Sequence, residues 1–305
     1  MKMIRTKSIP LLTSTLLSVA LLSTDAVAQG PTQPEESDEK QQMIELGRRH
    51  DSAWDLYLTL RDEAGGGTRL AWDDLPDWTG LYTRPIEHIA LFDPDQSREG
   101  LPTASLTPEF HERLLETIAL SRQGIEYDPL GRCVPPGYPR WLTVPFLREF
   151  IVTPDQTWLI NEVFNEIRRV YTDGREHIPV DDRYPTFDGD SIGFWDGDQL
   201  VIHTTQLNAG QYTRGQPNHT EQVESVERWQ KVDGQNIEVD VWVYDPPALT
   251  EPWYVKQFYP KLSNENRSLR IHYWHCFENQ NNDVYETEEG RTQFRDFTFT
   301  DEDDL

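Results

Sequence analysis

The chain of 305 residues carries 28 Lys and Arg against 53 Asp and Glu, a formal net charge of −25 at pH 7. A surface this acidic repels phosphate backbones and anionic headgroups, which excludes nucleic acid and anionic membranes as partners. With 36% hydrophobic residues there is enough apolar material for a core, and the acidity is that of a well-solvated surface.

The chain opens with Lys2, Arg5 and Lys7, an apolar run through Leu11, Leu12, Leu17, Val19, Leu21 and Leu22, and Ala26-Val27-Ala28 as a small-x-small cleavage site. That pattern predicts an export signal over residues 1–28. No other stretch approaches the roughly 20 apolar residues a spanning helix requires. No membrane insertion is expected, and the mature protein is expected in the periplasm or secreted. Residues 29–42, rich in Pro, Glu, Gln and Ser, predict a disordered linker.

Residues 43–305 then read as a single β-rich domain, helical in its N-terminal part to residue 125. Met43 to Glu63 places Ile44, Leu46, Trp54, Leu56, Leu58 and Leu60 at helical spacing, and Gly65-Gly66-Gly67 stops the helix. Leu75 to Tyr82, with Trp78 and Tyr82 flanking Gly80, turns into a first strand and is similar to the Gly-x-Trp opening of lipocalin-like barrels. A second helix is expected from Thr107 to Arg122, with Thr107 as N-cap, Pro108 at its first position and apolar Phe110, Leu114, Leu115, Ile118 and Leu120.

From Phe146 onward the period changes from 3.6 to 2. Arg148–Thr153, Thr157–Phe164, Glu166–Thr172, Asp198–Thr205, Gln222–Val232, Asn236–Tyr244, Val255–Tyr259, Arg267–Phe277 and Gln293–Thr300 read as strands. Asp173-Gly174, Asp196-Gly197 and Asp233-Gly234 supply hairpin turns. The fold class expected is mainly β: an antiparallel up-and-down barrel, lipocalin-like, or a sandwich, with N-terminal α-helices. Cys133 and Cys276, in a chain bound for an oxidising compartment, predict one disulfide, with two separately buried thiols as the alternative.

Several strands have one aliphatic face and one that mixes Trp or Tyr with charge. Glu238 to Tyr244 presents Val239, Val241 and Val243 on one side and Glu238, Asp240, Trp242 and Tyr244 on the other. Arg270, His272, Trp274 and Cys276 share a side of the expected strand Arg267–Phe277, and Glu227 and Trp229 share another. Turned inward, these faces line an aromatic cavity with a few polar groups, the usual make-up of a small-molecule site. Turned outward, they are an exterior covered in part by the N-terminal helices.

Five blocks, Cys133-Val-Pro-Pro-Gly-Tyr-Pro-Arg140, Glu149-Phe-Ile-Val-Thr-Pro154, Arg168 to His177, Gly189 to Asp198 and Cys276-Phe-Glu-Asn279, resemble in their order a family of uncharacterised exported bacterial proteins. The resemblance implies export, the two-cysteine pattern and a β-rich body, and supplies no activity. This chain departs from the family pattern at Ile178, which separates His177 from Pro179, and at residue 190, which is Asp where the pattern has His.

Gly189-Asp-Ser-Ile-Gly193 matches the Gly-x-Ser-x-Gly elbow of serine hydrolases, but Phe194-Trp195 and a further turn follow where the elbow needs a helix. Ser191 is therefore expected as a turn residue. Arg168, Arg169, Tyr171, Asp173, Arg175 and His177 concentrate charge in ten residues and offer guanidinium forks for a ligand's acidic group, or salt bridges to nearby carboxylates. The histidines at 177, 203, 219, 272 and 275 could serve as a base, but none has the spacing of a recognised zinc site, so no metal is expected.

The function expected is binding of a small hydrophobic or aromatic molecule bearing an acidic group. Its ligand-binding candidates are Arg169, Tyr171, Arg175, His177, Trp195, Trp229, Trp242, Tyr244, Arg270 and Trp274. The alternative is a lyase, isomerase or hydrolase on the same scaffold, using Glu227, Asp240 and His272 for acid–base work without an organic cofactor. A third reading is an envelope protein presenting its aromatic surface to a protein partner.

Overall fold

The alternating pattern beyond Phe146 folds into one curled eight-stranded sheet, a half-barrel, in a computed structural model that describes residues 38–84, 104–126, 128–213, 216–263, 269–276 and 284–294. The expected signal peptide, residues 29–37 of the linker, the block end at 277–279 and residues 295–300 of the last expected strand lie outside the described residues. The helices are α1 (Asp38–Arg48), α2 (Ala53–Glu63) and α3 (Pro108–Ser121). The strands are β1 (Ile125–Glu126), β2 (Arg148–Val152), β3 (Gln156–Asn161), β4 (Glu166–Tyr171), β5 (Asp190–Asp196), β6 (Gln199–Thr205), β7 (Gly210–Thr213), β8 (Gln216–His219), β9 (Glu224–Val232), β10 (Asn236–Tyr244), β11 (Trp253–Tyr259), β12 (Val284–Glu286) and β13 (Thr292–Phe294).

The half-barrel runs β11-β10-β9-β6-β5-β4-β3-β2. All neighbours are antiparallel except β4 and β5, which are parallel because residues 172–189 carry the chain back across the sheet before β5 begins. A mainly β fold with N-terminal helices is what the sequence pattern implies, but the up-and-down order breaks at this crossover. The outermost strands, β2 and β11, do not pair with each other. Residues 81–83 stand between them instead: Tyr82 exchanges backbone hydrogen bonds with Arg148 at 2.9 Å each way, Thr83 N donates to the Pro260 carbonyl at 3.1 Å, and Leu262 N donates to the Leu81 carbonyl at 2.8 Å.

Three elements differ from expectation. The single helix over 43–63 is two, because Ser52 caps a new start by accepting from Asp55 N at 3.1 Å, and α1 begins at Asp38, inside the segment expected as linker. Asp190–Asp196, flanked by turn signals, is a central strand. Residues 269–276 are not a strand. Their backbone pairs with side chains: Asn165 Oδ1 accepts from Trp274 N at 2.9 Å, and Glu162 Oε1 accepts from His272 N at 3.2 Å. The Cys133–Cys276 disulfide, Cα atoms 5.7 Å apart, fixes the end of this segment. Closing a loop of 143 residues restricts the unfolded chain by roughly 4–5 kcal/mol in the entropy model.

The inner face packs Phe150, Leu159, Val170, Trp195, Leu200, Ile202, Trp229, Val239 and Val241 against Trp78, Tyr82 and Trp141. Helices α1 and α2 cover the outer face, over Ile192, Phe194, Val201, Val226, Trp242 and Tyr244. A Cβ at Gly47 would stand 2.8 Å from the Trp242 ring, so glycine lets α1 lie directly on that indole. The mixed faces do not gather on one side. Directly opposed residues share a face, and the register sets Trp229 and Glu227 beside Val239 and Val241 while Trp242 lies beside Val226. The mixed face of β9 thus points inward and that of β10 outward.

Candidate functional site

The outer ends of β5, β6 and β9 bring Asp190, His203 and Glu224 to one place. Gly189, at φ +70°, makes the bend into β5; a Cβ there would meet the Thr205 carbonyl at 2.6 Å. Asp190 and Thr205 are cross-strand partners, as are Ile192 and His203. The crossover delivers His177, and the first turn of α2 lays Trp54 over both imidazoles, with centroids 5.6 Å from His177 and 5.1 Å from His203.

A hydrogen-bonded chain links these groups. Asp190 Oδ2 lies 2.7 Å from His177 Nδ1, and His177 Nε2 lies 2.7 Å from His203 Nδ1. Asp190 Oδ2 also accepts from Ile178 N at 2.9 Å. Burial alone would push the Asp190 carboxyl up, but the bonds from His177 and Ile178 outweigh it and hold the group below its ordinary value. An ionised carboxylate only accepts, so His177 Nδ1 carries a proton. In a neutral pair His177 Nε2 then accepts from His203 Nδ1–H.

His203 Nε2 is left bare: it is buried without a hydrogen-bond partner, 3.7 Å from Glu224 Oε2. Burial lowers the His203 pKa against the pull of Glu224, which keeps the imidazole neutral and leaves Nε2 able to accept a proton. Glu224 accepts from the Thr205 hydroxyl at 2.8 Å. Burial acts upward on its carboxyl too, and His203 and Thr205 together hold it below its ordinary range. A pocket of about 390 Å³ opens over this end of the chain, with Trp54, Glu176, Arg183 and Thr205 completing its wall. Arg183 Nε is tied to the Ile178 carbonyl at 2.8 Å.

On the inner face of the same strands a second polar cluster is closed. Arg168 pairs with both oxygens of Glu227 and donates to Ser191 Oγ at 3.2 Å and Thr204 Oγ1 at 2.5 Å. Trp229 Nε1 donates to Glu227 Oε2 at 3.0 Å, Tyr138 and Ser225 share a bond of 2.7 Å, and the guanidinium lies 4.0 Å from the Tyr138 ring centre.

The residues singled out by sequence are scattered. Glu227 is buried in that inner cluster, whereas Asp240 is on the outer face, bonded to Arg228 Nη2 at 2.8 Å and the Tyr254 hydroxyl at 2.7 Å. His272 is exposed against Glu162. The three proposed acid–base groups therefore do not meet, because adjacent strands offset their mixed faces and the third segment lies outside the sheet. Trp195 and Trp229 are inner-face packing; Trp242 and Tyr244 anchor α1 through the carbonyls of Met43 (2.7 Å) and Gly47 (2.8 Å).

Arg175 is paired with Asp173 and stacked on Tyr171, and Arg169 lies over Trp158. Arg270 is exposed near the Leu269 carbonyl, and Trp274 packs on Phe146 and Phe164. Of the ligand-binding candidates, only His177 is in the outer pocket. Ser191 is the second residue of β5 rather than a turn residue, and its hydroxyl meets Arg168 Nε at 3.2 Å, with no elbow. Asp190, Glu224 and Trp54 were not candidates, and His203 stood only among five histidines that could serve as a base; the signal that singles it out is a histidine inside the apolar run Leu200-Val-Ile-His-Thr-Thr205.

No family model matches the chain, and no curated protein matches it as a relative. Among the described residues no group of three or more His, Cys, Asp or Glu is placed to hold a metal ion, and no helix is long and apolar enough to cross a membrane.

Proposed function

We propose that the protein is an exported enzyme that moves a proton on a small organic molecule held in the outer pocket, with no organic cofactor. His203 Nε2 carries the reading: it is a buried basic nitrogen with no partner, at the end of a chain whose other imidazole nitrogens are committed. When Nε2 takes a proton from the substrate, the Nδ1 proton of His203 passes to His177 Nε2. The positive charge then rests on His177, against the Asp190 carboxylate. Glu224, whose Oε2 lies 3.7 Å from His203 Nε2, stabilises the protonated state. An apolar or aromatic part of the substrate lies against Trp54, and Arg183 takes an acidic group. The reaction class is abstraction of a proton beside a carbonyl, as in isomerases and lyases. Export is supported by the disulfide and by the signal pattern of residues 1–28.

The test uses aryl 2-oxo and aryl 3-oxo acids in D2O, with deuterium entry at the carbon beside the carbonyl followed by NMR. Saturable exchange in the wild type, lost in His203→Gln with an unchanged melting temperature, supports the reading. Exchange equal in both proteins would overturn it.

A further inference from the structure

Arg84 is 2% exposed, and its Nε, Nη1 and Nη2 are all buried without a hydrogen-bond partner. It lies two residues beyond Tyr82, where the chain stands between the two outermost strands of the half-barrel, and alternation turns both side chains toward the inner face. A second buried guanidinium is there. Arg148 is the backbone partner of Tyr82; its Nη atoms donate to the carbonyls of Phe146, Trp141 and Val144 at 3.0, 2.8 and 2.6 Å, and its Nε has no partner. The Trp141 and Tyr259 rings flank it, 5.0 and 4.8 Å from the guanidinium carbon.

Among the described residues no carboxylate forms an ion pair with either arginine. Burial pushes the Arg84 pKa down to about 10; Tyr259 acts upward, and the neighbouring Arg148 cation adds a smaller downward push. Glu166 attracts Arg148 but accepts from Gly137 N, and its own pKa is pushed up to about 8 by burial and by Asp188. Buried charges are ordinarily paired, because an unpaired one loses its hydration with nothing in return. Four N–H-bearing nitrogens at one place, on two cations with no anion, are the arrangement that receives one.

We infer that Arg84 and the Nε of Arg148 form a binding site for one small oxyanion, a carboxylate, sulfate or phosphate group, at the junction between β2 and β11. This site is on the opposite face of the sheet from the proton-transfer pocket and does not depend on it. The anion arrives either as a free inorganic ion or as the acidic group of an organic ligand, whose apolar part would meet the aromatic inner face.

The experiment measures the melting temperature of the full protein at constant ionic strength, replacing chloride in turn with sulfate, phosphate, acetate and benzoate. At a hundredfold excess over Kd one of the four raises the midpoint by roughly 5–10 °C and the effect saturates, as expected for binding to the folded state alone. Inorganic ions acting alone indicate a free anion, and benzoate acting most strongly indicates an organic ligand. Arg84→Met keeps the side-chain volume, removes the saturable response and leaves the chloride midpoint unchanged or higher. An equal response in Arg84→Met overturns the site. Should that variant not fold, calorimetric titration of the wild type decides: one saturating site per chain upholds the inference, and no saturable heat with any of the four anions overturns it.

Discussion

Asp190 and Ser191, His203 and Thr204, and Glu224 and Ser225 are three pairs of neighbours on three adjacent strands, and each pair sends one residue to either face of the sheet. The inner members, with Arg168, Glu227, Trp229 and Tyr138, form a network in which every guanidinium nitrogen donates and both carboxylate oxygens accept. The outer members, with His177, form a chain that stops at a bare nitrogen beside a pocket. Alternate positions of the same three strands thus give a closed network that holds strands together and an open one equipped for chemistry. What separates them is whether the last polar atom has a partner.

Breaking the inner network should have the largest effect. Arg168→Met leaves the fully buried Glu227 unpaired and should cost about 3–5 kcal/mol in urea unfolding. The double change Arg168→Met with Glu227→Met should recover most of that loss, since it is the orphaned charge that costs. Breaking the outer chain should do the reverse. His203→Gln should slow deuterium exchange by about 10²–10⁴-fold while changing stability by less than about 1 kcal/mol. In the wild type the same exchange should persist through the ordinary imidazole value and fall only at lower pH, because burial lowers the His203 pKa and protonation then removes the base.

Glu166 sharpens the contrast from the inner side. Its folded pKa is raised from the ordinary value to about 8, so the folded state holds a proton that the unfolded chain releases. That contribution is fully present below about pH 4.5 and is lost as the pH rises through 8. Melting temperatures of Glu166→Gln should therefore gain on the wild type between pH 5 and pH 9. The smallest effect is expected at the surface, where Arg175→Ala should change stability by less than about 0.5 kcal/mol despite its close pairing with Asp173.

Period-2 alternation marks β4 and β10 within a residue of their true limits, because each strand buries every second residue, Glu166, Arg168 and Val170 in β4 and Ile237, Val239, Val241 and Val243 in β10. It misses β5, whose ends carry Gly189-Asp190 and Asp196-Gly197 and so resemble turns. It also makes a strand of 269–276, where the alternation is present but Asn165 and Glu162 take the hydrogen bonds a neighbouring strand would have made. The pairing of Cys133 with Cys276 is legible from count and compartment. The site is not, since which face of β9 points inward depends on its register with β6, where Leu200 pairs with Trp229 and Thr204 with Ser225, and Trp54 reaches the imidazoles only because α2 docks there. His203 is visible as one polar residue in an apolar strand, but its partner His177 lies 26 positions earlier, in a segment without periodicity.

Long-range 1H–15N spectra of the imidazoles at neutral pH test the proton chain directly. The geometry predicts Nδ1–H tautomers for both His177 and His203 and an unprotonated His203 Nε2. A His203 that carries its proton on Nε2 would contradict the chain and with it the proposed chemistry.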